Sequence, residues 1–274
     1  MEIRSKKRII QRMAQNWHII SLVAILLTSN TFAHAADDFV YQGKPVHPDC
    51  IAQLTDISSN DKHPSISLVD CSNSKKSFHI VEGYLTTRDE TDVKQQEFTS
   101  YTVIGQQGNK FLLDTTSWTG GTGIFTAVIW LELNNNKLIV LDMLAGGDRC
   151  NGGTRKTGAW EYAVNDTPYD MLQRAIGTPL PVKPYDDLET SAASCVAQTI
   201  FRFNPATGKS YFVEMKLNKE SQSMDDYLKQ IKYQLCFNEI YNQLLKDGKT
   251  TLNQLQIDAF RNAFEKKCVK SSSL

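Results

Sequence analysis

Residues Gly123–Ala145 constrain the fold more than any other stretch. They read GIFTAVIWLEL, then Asn134-Asn135-Asn136, then KLIVLDMLA. Two runs rich in β-branched, aromatic and aliphatic residues flank a turn-prone tract, the pattern of a β-hairpin. With Asn134–Asn136 as the loop, Leu133 faces Lys137 and Phe125 faces Ala145. One face then carries Phe125, Ala127, Ile129, Leu131 and Leu133 beside Ile139, Leu141, Met143 and Ala145, and is expected to meet the core. The other face mixes Thr126, Val128, Trp130 and Glu132 with Leu138, Val140, Asp142 and Leu144, and is expected to be partly covered.

The first 35 residues read as a secretory signal peptide. Lys6, Lys7, Arg8 and Arg12 form a basic start, Ile19–Leu27 an apolar core, and Ala33-His34-Ala35 a small-x-small cleavage signal. The apolar core is far short of the ~20 residues that span a bilayer. Cleavage leaves Ala36–Leu274, 239 residues, with no further span expected. It removes five Lys/Arg and one Asp/Glu, so 25 basic residues stand against 29 acidic ones, a net charge of −4. Nucleic-acid partners call for a basic excess and are not expected.

All six cysteines follow the leader: Cys50, Cys71, Cys150, Cys195, Cys236 and Cys268. An even count behind a signal peptide reads as three disulfides in an oxidising compartment, periplasmic or extracellular. Sequential pairing is expected, because it staples three separate segments. No CxxC occurs, and only His47, His63 and His79 remain after cleavage. A zinc site ranks far behind, and no metal or cofactor is expected.

Along the chain, Ala36–Asn60 reads as irregular, with a short strand at Phe39–Tyr41. Ser65–Cys71 and Phe78–Leu85 read as strands, and Arg88–Gln96 as a charged loop. Ser100–Gln106 and Lys110–Thr116 form a second hairpin, with Tyr101, Val103, Phe111 and Leu113 facing inward. Ala159–Val164 is a further strand. Pro168–Ile176 is a short helix with Thr167 as its N-cap, and Pro179–Asp187 a loop. Gln198–Phe203 and Ser210–Leu217 form a third hairpin.

The periodicity changes after Leu217. A helix starts at Ser223-Met224-Asp225-Asp226 and ends at Gly248. Met224, Tyr227, Leu228, Ile231 and Leu235 form one stripe, expected to dock on the β-body. Cys236, Phe237, Ile240 and Leu244 form another, expected to pack on the next helix. A second capping box at Thr251–Gln254 opens a helix running toward Cys268. From the turn, Cys236 lies roughly 16 Å back and Cys268 roughly 25 Å on at ~1.5 Å per residue. The second helix must therefore fray or cross at an angle for the two to bond.

These elements specify an α+β chain. A signal peptide over residues 1–35 precedes an antiparallel β-rich body (curved sheet, sandwich or partial barrel) over 36–217 and a C-terminal helical hairpin over 218–274.

No GxSxG, HExxH, GxxxxGK[ST] or EF-hand pattern occurs. His79 reads as a packed or surface residue and His63 as exposed. Glu132 and Asp142 fall four residues apart along the expected strands, roughly 13 Å, too wide for a glycosidase pair. The suggestive stretches are two glycine-rich links, Trp118–Gly123 into the central hairpin and Gly146–Gly153 out of it. They should meet at one end of it and gather Trp118, Asp148, Arg149 and Arg155 beside glycine amides, a group suited to an anionic ligand. Trp118 and Arg149 are the expected core of a partner surface.

The segment Cys236–Cys268, with Asn238, Tyr241, Leu245, Leu252, Gln256, Phe264 and Cys268, resembles the cysteine-ended helical hairpin of the secreted lysozyme-inhibitor-like domains of bacteria. It covers 33 of 274 residues, and Ala259 stands where that family carries a Trp. The expectation is a non-catalytic binding or inhibitory protein acting on a protein or envelope component. The alternative is an envelope hydrolase using Asp142, Asp148 or His79.

Overall fold

The computed structural model describes residues 39–56, 64–74, 76–87, 97–148, 153–176, 188–190, 194–219 and 232–269. The leader, Arg149, Cys150, His63, the charged and proline-bearing loops and the helix start at Ser223–Ile231 lie outside them. The fold is α+β, with two large antiparallel sheets and a C-terminal helical region.

The larger sheet has seven strands in the order β3-β9-β8-β7-β6-β5-β4. They are β3 (Ser65–Ser67), β4 (His79–Val81), β5 (Tyr84–Thr86), β6 (Glu97–Gln107), β7 (Lys110–Thr119), β8 (Phe125–Asn134) and β9 (Lys137–Gly147). A two-stranded ribbon, β1 (Val40–Tyr41) with β2 (Lys44–Pro45), leads into helix α1 (Pro48–Asp56). The segment read as irregular is thus partly helical, because Pro48 occupies the first helical turn, where its missing N–H costs nothing. Ser65–Cys71 divides into β3 and a short helix α2 (Leu68–Cys71). Phe78–Leu85 divides into β4 and β5 around Glu82-Gly83, both at positive φ, as a two-residue hairpin turn demands.

The central hairpin forms in a register one residue from the expected one. Asn134 pairs with Lys137, leaving a two-residue turn with Asn135 at φ 54°. Two shifts along the hairpin then place Trp130 opposite Asp142 and Val128 opposite Ala145. Because the side-chain period of a strand is two, the one-residue slip at the turn exchanges the faces of Leu138–Val140, and the shift that sets Trp130 opposite Asp142 returns Asp142 and Met143 to their expected faces. Leu138 and Val140, assigned to the outer face, join Ala127, Ile129 and Leu131 under α1, together with Tyr101, Val103, Phe111 and Leu113. The outer face is partly covered, as expected: Ile104, Leu112, Val128 and Trp130 are buried against the second sheet, while Asp142 is exposed.

That sheet has the order β10-β11-β12-β13-β14: β10 (Thr154–Gly158), β11 (Glu161–Asp166), β12 (Ala197–Asn204), β13 (Lys209–Leu217) and β14 (Thr251–Leu252). Alternation puts Ala197, Thr199, Phe201 and Phe203 of β12 on one face. Phe203, with Tyr162 and Val164, meets the large sheet, while Ala197, with Met215 and Leu217, meets helices α3 (Pro168–Ile176), α4 (Lys232–Lys246) and α5 (Gln254–Phe264). Where the sheets cross, the Gly105 backbone lies flat against the Trp160 ring, and a Cβ there would fall 2.4 Å from a ring atom. Trp160 is held at φ 59°, donates its N–H to Ile104 O and stacks 5.9 Å from Phe203.

The helix caps follow their sequence signals closely. Thr167 Oγ1 accepts from Asp170 N, and Asp170 Oδ2 accepts from Thr167 N, closing a capping box over α3. At the end of α4, Gly248 N–H meets Leu245 O and Lys249 N–H meets Leu244 O, with Gly248 at φ 73°. The second box is two residues later than expected. Thr251–Leu252 pairs with β13, and Asn253 with Gln256 caps α5. Phe237 of α4 meets Phe260 of α5 edge-on at 5.4 Å, and Leu235 is exposed.

Cys50–Cys71 and Cys236–Cys268 are bonded in the expected sequential pattern, and Cys195 is also disulfide-bonded. The reach problem at Cys268 is solved by a wide π-helical turn, Glu265–Val269, which follows α5 and carries Cys268 inward. These bonds match an oxidising environment. No helix among the described residues is long and apolar enough to cross a membrane.

Candidate functional site

The two glycine-rich links meet, as expected, at one end of the central hairpin. Gly146 and Gly147 close the β8–β9 ladder opposite Ala127 and Thr126. A Cβ at Gly153 would stand 3.2 Å from Gly147 O, so the outgoing chain passes directly over the hairpin end. On the incoming side, a Cβ at Gly123 would lie 3.3 Å from the Phe125 ring and 3.6 Å from Asp148 Oδ2.

The four residues named from sequence take different places there. Asp148 reaches the meeting point. Trp118 lies at the end of β7 beside Phe98, their rings 6.2 Å apart, and its Nε1–H donates to Gly121 O at 2.5 Å. Alternation along β7 puts Trp118 on the face shared by Leu112 and Asp114, away from Phe125, which pairs with Ser117. Arg155, on β10, donates to Gln198 Oε1 at 2.7 Å, across the second sheet. Arg149 lies outside the described residues.

The opening at this end is lined by residues that the hairpin pattern had assigned to the core. Phe125 and Met143 are 48% and 50% exposed. With Thr115, Ser117, Ala127, Ala145 and Gly146 they line a groove of about 410 Å³. The core under α1 ends at Ala127 and Ile129, and Phe125, beyond it on β8, and Met143, opposite Ile129 on β9, are left about half uncovered. Periodicity reports which face a side chain takes, and not how far along a strand the covering layer reaches.

A second cluster was missed entirely. Asp114, 1% exposed, sits in the middle of β7 and accepts three hydrogen bonds. They come from Tyr84 OH at 2.6 Å, Thr154 Oγ1 at 3.0 Å and the Lys156 backbone N–H at 2.7 Å. Lys156 Nζ donates to Val103 O at 2.7 Å. Thr126 Oγ1 accepts the Thr154 N–H at 2.6 Å. The outward N–H groups of edge strand β10 are thus capped by side chains of the other sheet, which satisfies donors that a bare edge would leave unpaired. Burial raises the Asp114 carboxyl above its ordinary range against the pull of its three donors. Burial, joined by Asp114, also raises the Tyr84 phenol. Burial lowers the Lys156 ammonium, opposed by Asp114. The only signal in the sequence was a lone acid directly after the apolar run Phe111–Leu113.

A similar strut joins α3 to the second sheet. Asp166, fully buried, accepts from Arg174 Nε and Thr199 Oγ1, and burial raises its carboxyl against the Arg174 charge. The Arg174 guanidinium lies 5.3 Å from the Phe201 ring centre.

The revised register also moves the Glu132–Asp142 pair. Asp142 faces Trp130, so the two acids are offset by two residues along the strands, about 7 Å, and not four. Glu132 accepts from Asn109 Nδ2 at 3.0 Å. His79 is exposed on β4. Among the described residues no group of His, Cys, Asp and Glu is arranged to hold a metal ion. Comparison with family models, with curated proteins and with solved structures returns no match.

Proposed function

We propose that this is a secreted, periplasmic or extracellular, non-catalytic binding or inhibitory protein that acts on a protein or an envelope component. The observation that carries the reading is the groove at the hairpin end. It holds two large apolar side chains, each about half exposed, on a rigid sheet rather than on loops. Phe and Met are among the residue types enriched at the cores of protein interfaces. The buried acids are engaged elsewhere, Asp114 and Asp166 each bridging separate elements as structural ties. The signal-peptide pattern supports the location, and the likeness of Cys236–Cys268 to lysozyme-inhibitor-like hairpins supports the inhibitory form.

The test is capture from an envelope extract by the immobilised mature chain, compared with a Phe125→Ser/Met143→Ser double variant. Both side chains are half exposed, so the double variant should keep its melting temperature and lose capture. Undiminished capture by the double variant would place the binding surface elsewhere.

A further inference from the structure

We infer that Met143 is a redox-sensitive wall of the groove: peroxide oxidises its thioether to the sulfoxide and so weakens the binding that the groove supports. The inference rests on the binding reading above and adds its regulation. Exposure separates the three methionines among the described residues. Met171 and Met215 are 0% exposed, whereas Met143 is 50% exposed. No free cysteine occurs among the described residues, so no thiolate there competes for the oxidant. Reduced sulfur meets solvent at Met143, in a chain whose disulfides match an oxidising environment.

The surroundings suit the reaction. None of the residues lining the groove is ionisable, so a small uncharged oxidant meets no charge there. A thioether has no proton to lose and needs no activating base, which agrees with a groove that offers none. Its sulfur lone pair attacks one peroxide oxygen, and the S–O bond forms as the O–O bond breaks. The departing hydroxide takes the proton of the transferred oxygen and leaves as water. The sulfur gives up two electrons and the peroxide gains them. A dithiol reductant reverses the step, forming its own disulfide and one water.

The consequence follows from where Met143 stands. It pairs with Ile129 across the hairpin and shares a sheet face with Phe125. These two are the large apolar side chains of the groove, since every other lining residue is Thr, Ser, Ala or Gly. Oxidation makes one of the two walls polar and hydrated. A partner that closes over it must strip that water without returning a hydrogen bond. The free chain is little affected, because a half-exposed sulfoxide keeps its oxygen in water.

The test treats the mature chain with hydrogen peroxide, removes the oxidant and maps oxygen uptake peptide by peptide by mass spectrometry. Met143 should gain one oxygen well before Met171 or Met215, with the melting temperature unchanged. Capture from the envelope extract should fall about tenfold, the size of one polar group left unpaired. Methionine sulfoxide reductase with a dithiol should restore it. Met143→Leu, whatever its own level of capture, should be indifferent to peroxide. Uptake at Met171 or Met215 as fast as at Met143 would overturn the inference, as would loss of capture by peroxide-treated Met143→Leu. If Met143 is oxidised without effect while Phe125→Ser/Met143→Ser still abolishes capture, the binding reading stands and the redox control falls. If capture is indifferent to both the oxidation and the double substitution, the two fall together.

Discussion

The contact between Gly105 and Trp160 offers the sharpest test of how the two sheets are held. Gly105→Ala adds one methyl group where the structure leaves none to spare, 2.4 to 2.6 Å from three atoms of the Trp160 ring. The ring cannot yield as a flexible chain end would. It is braced by Phe203 at 5.9 Å and by Trp130 at 6.0 Å, and its backbone N–H is fixed to Ile104 O. Overpacking a rigid site costs about 1–3 kcal/mol, and the depth of this clash puts it near the upper end, about 3 kcal/mol. For a chain of this size that lowers the melting temperature by about 6–12 °C. A double-mutant cycle isolates the cause. Trp160→Ala keeps the positive φ at that position and costs about 3 kcal/mol for the lost aromatic contacts. In the Trp160→Ala background the ring is gone, so Gly105→Ala should cost less than about 0.5 kcal/mol. Urea denaturation of the four proteins measures both legs. An equal cost for Gly105→Ala in the two backgrounds would refute the reasoning, because it would trace the damage to the strand backbone and not to the ring.

Two further outcomes follow from the buried acid and the helices. Asp114 has a folded-state pKa raised above its unfolded value, so the folded chain holds the extra proton between the two, and this group's stabilising contribution falls as pH rises through that window. Asp114→Asn should cost about 1–3 kcal/mol by leaving one donor unanswered. It should also flatten the decline of stability with rising pH in urea titrations; an unchanged slope would assign that dependence to another group. Phe260→Ala, in the core that α3, α4 and α5 share with β12 and β13, should cost about 3–5 kcal/mol and lower a single cooperative transition. Early melting of the helices with unchanged tryptophan fluorescence would show that they unfold apart from the sheets.

The local elements were written in the sequence wherever a short-range rule operates. The hairpins at Gly108–Asn109 and Asn204–Gly208, the box at Thr167 and the stop at Gly248 formed where turn and cap chemistry placed them. Cys50–Cys71 and Cys236–Cys268 bonded as their sequential spacing suggested. Local signals failed where two options differed by a single residue. Three asparagines in a row do not say which two make the turn, and that one step exchanged the faces of Leu138–Val140.

What only the tertiary structure decided is where each layer stops. Phe125 and Ile129 have the same hairpin parity and the same apolar character, yet one is half exposed and the other fully buried. The difference is the reach of α1 and its neighbours, elements distant in sequence. The same holds for Asp114, whose partners Tyr84, on β5, and Thr154 and Lys156, on β10, come from two separate stretches of chain and meet only because β10 crosses the large sheet. Sequence periodicity fixes which way a side chain points, since alternation is built into the strand; what it points at depends on long-range packing, which no local pattern encodes.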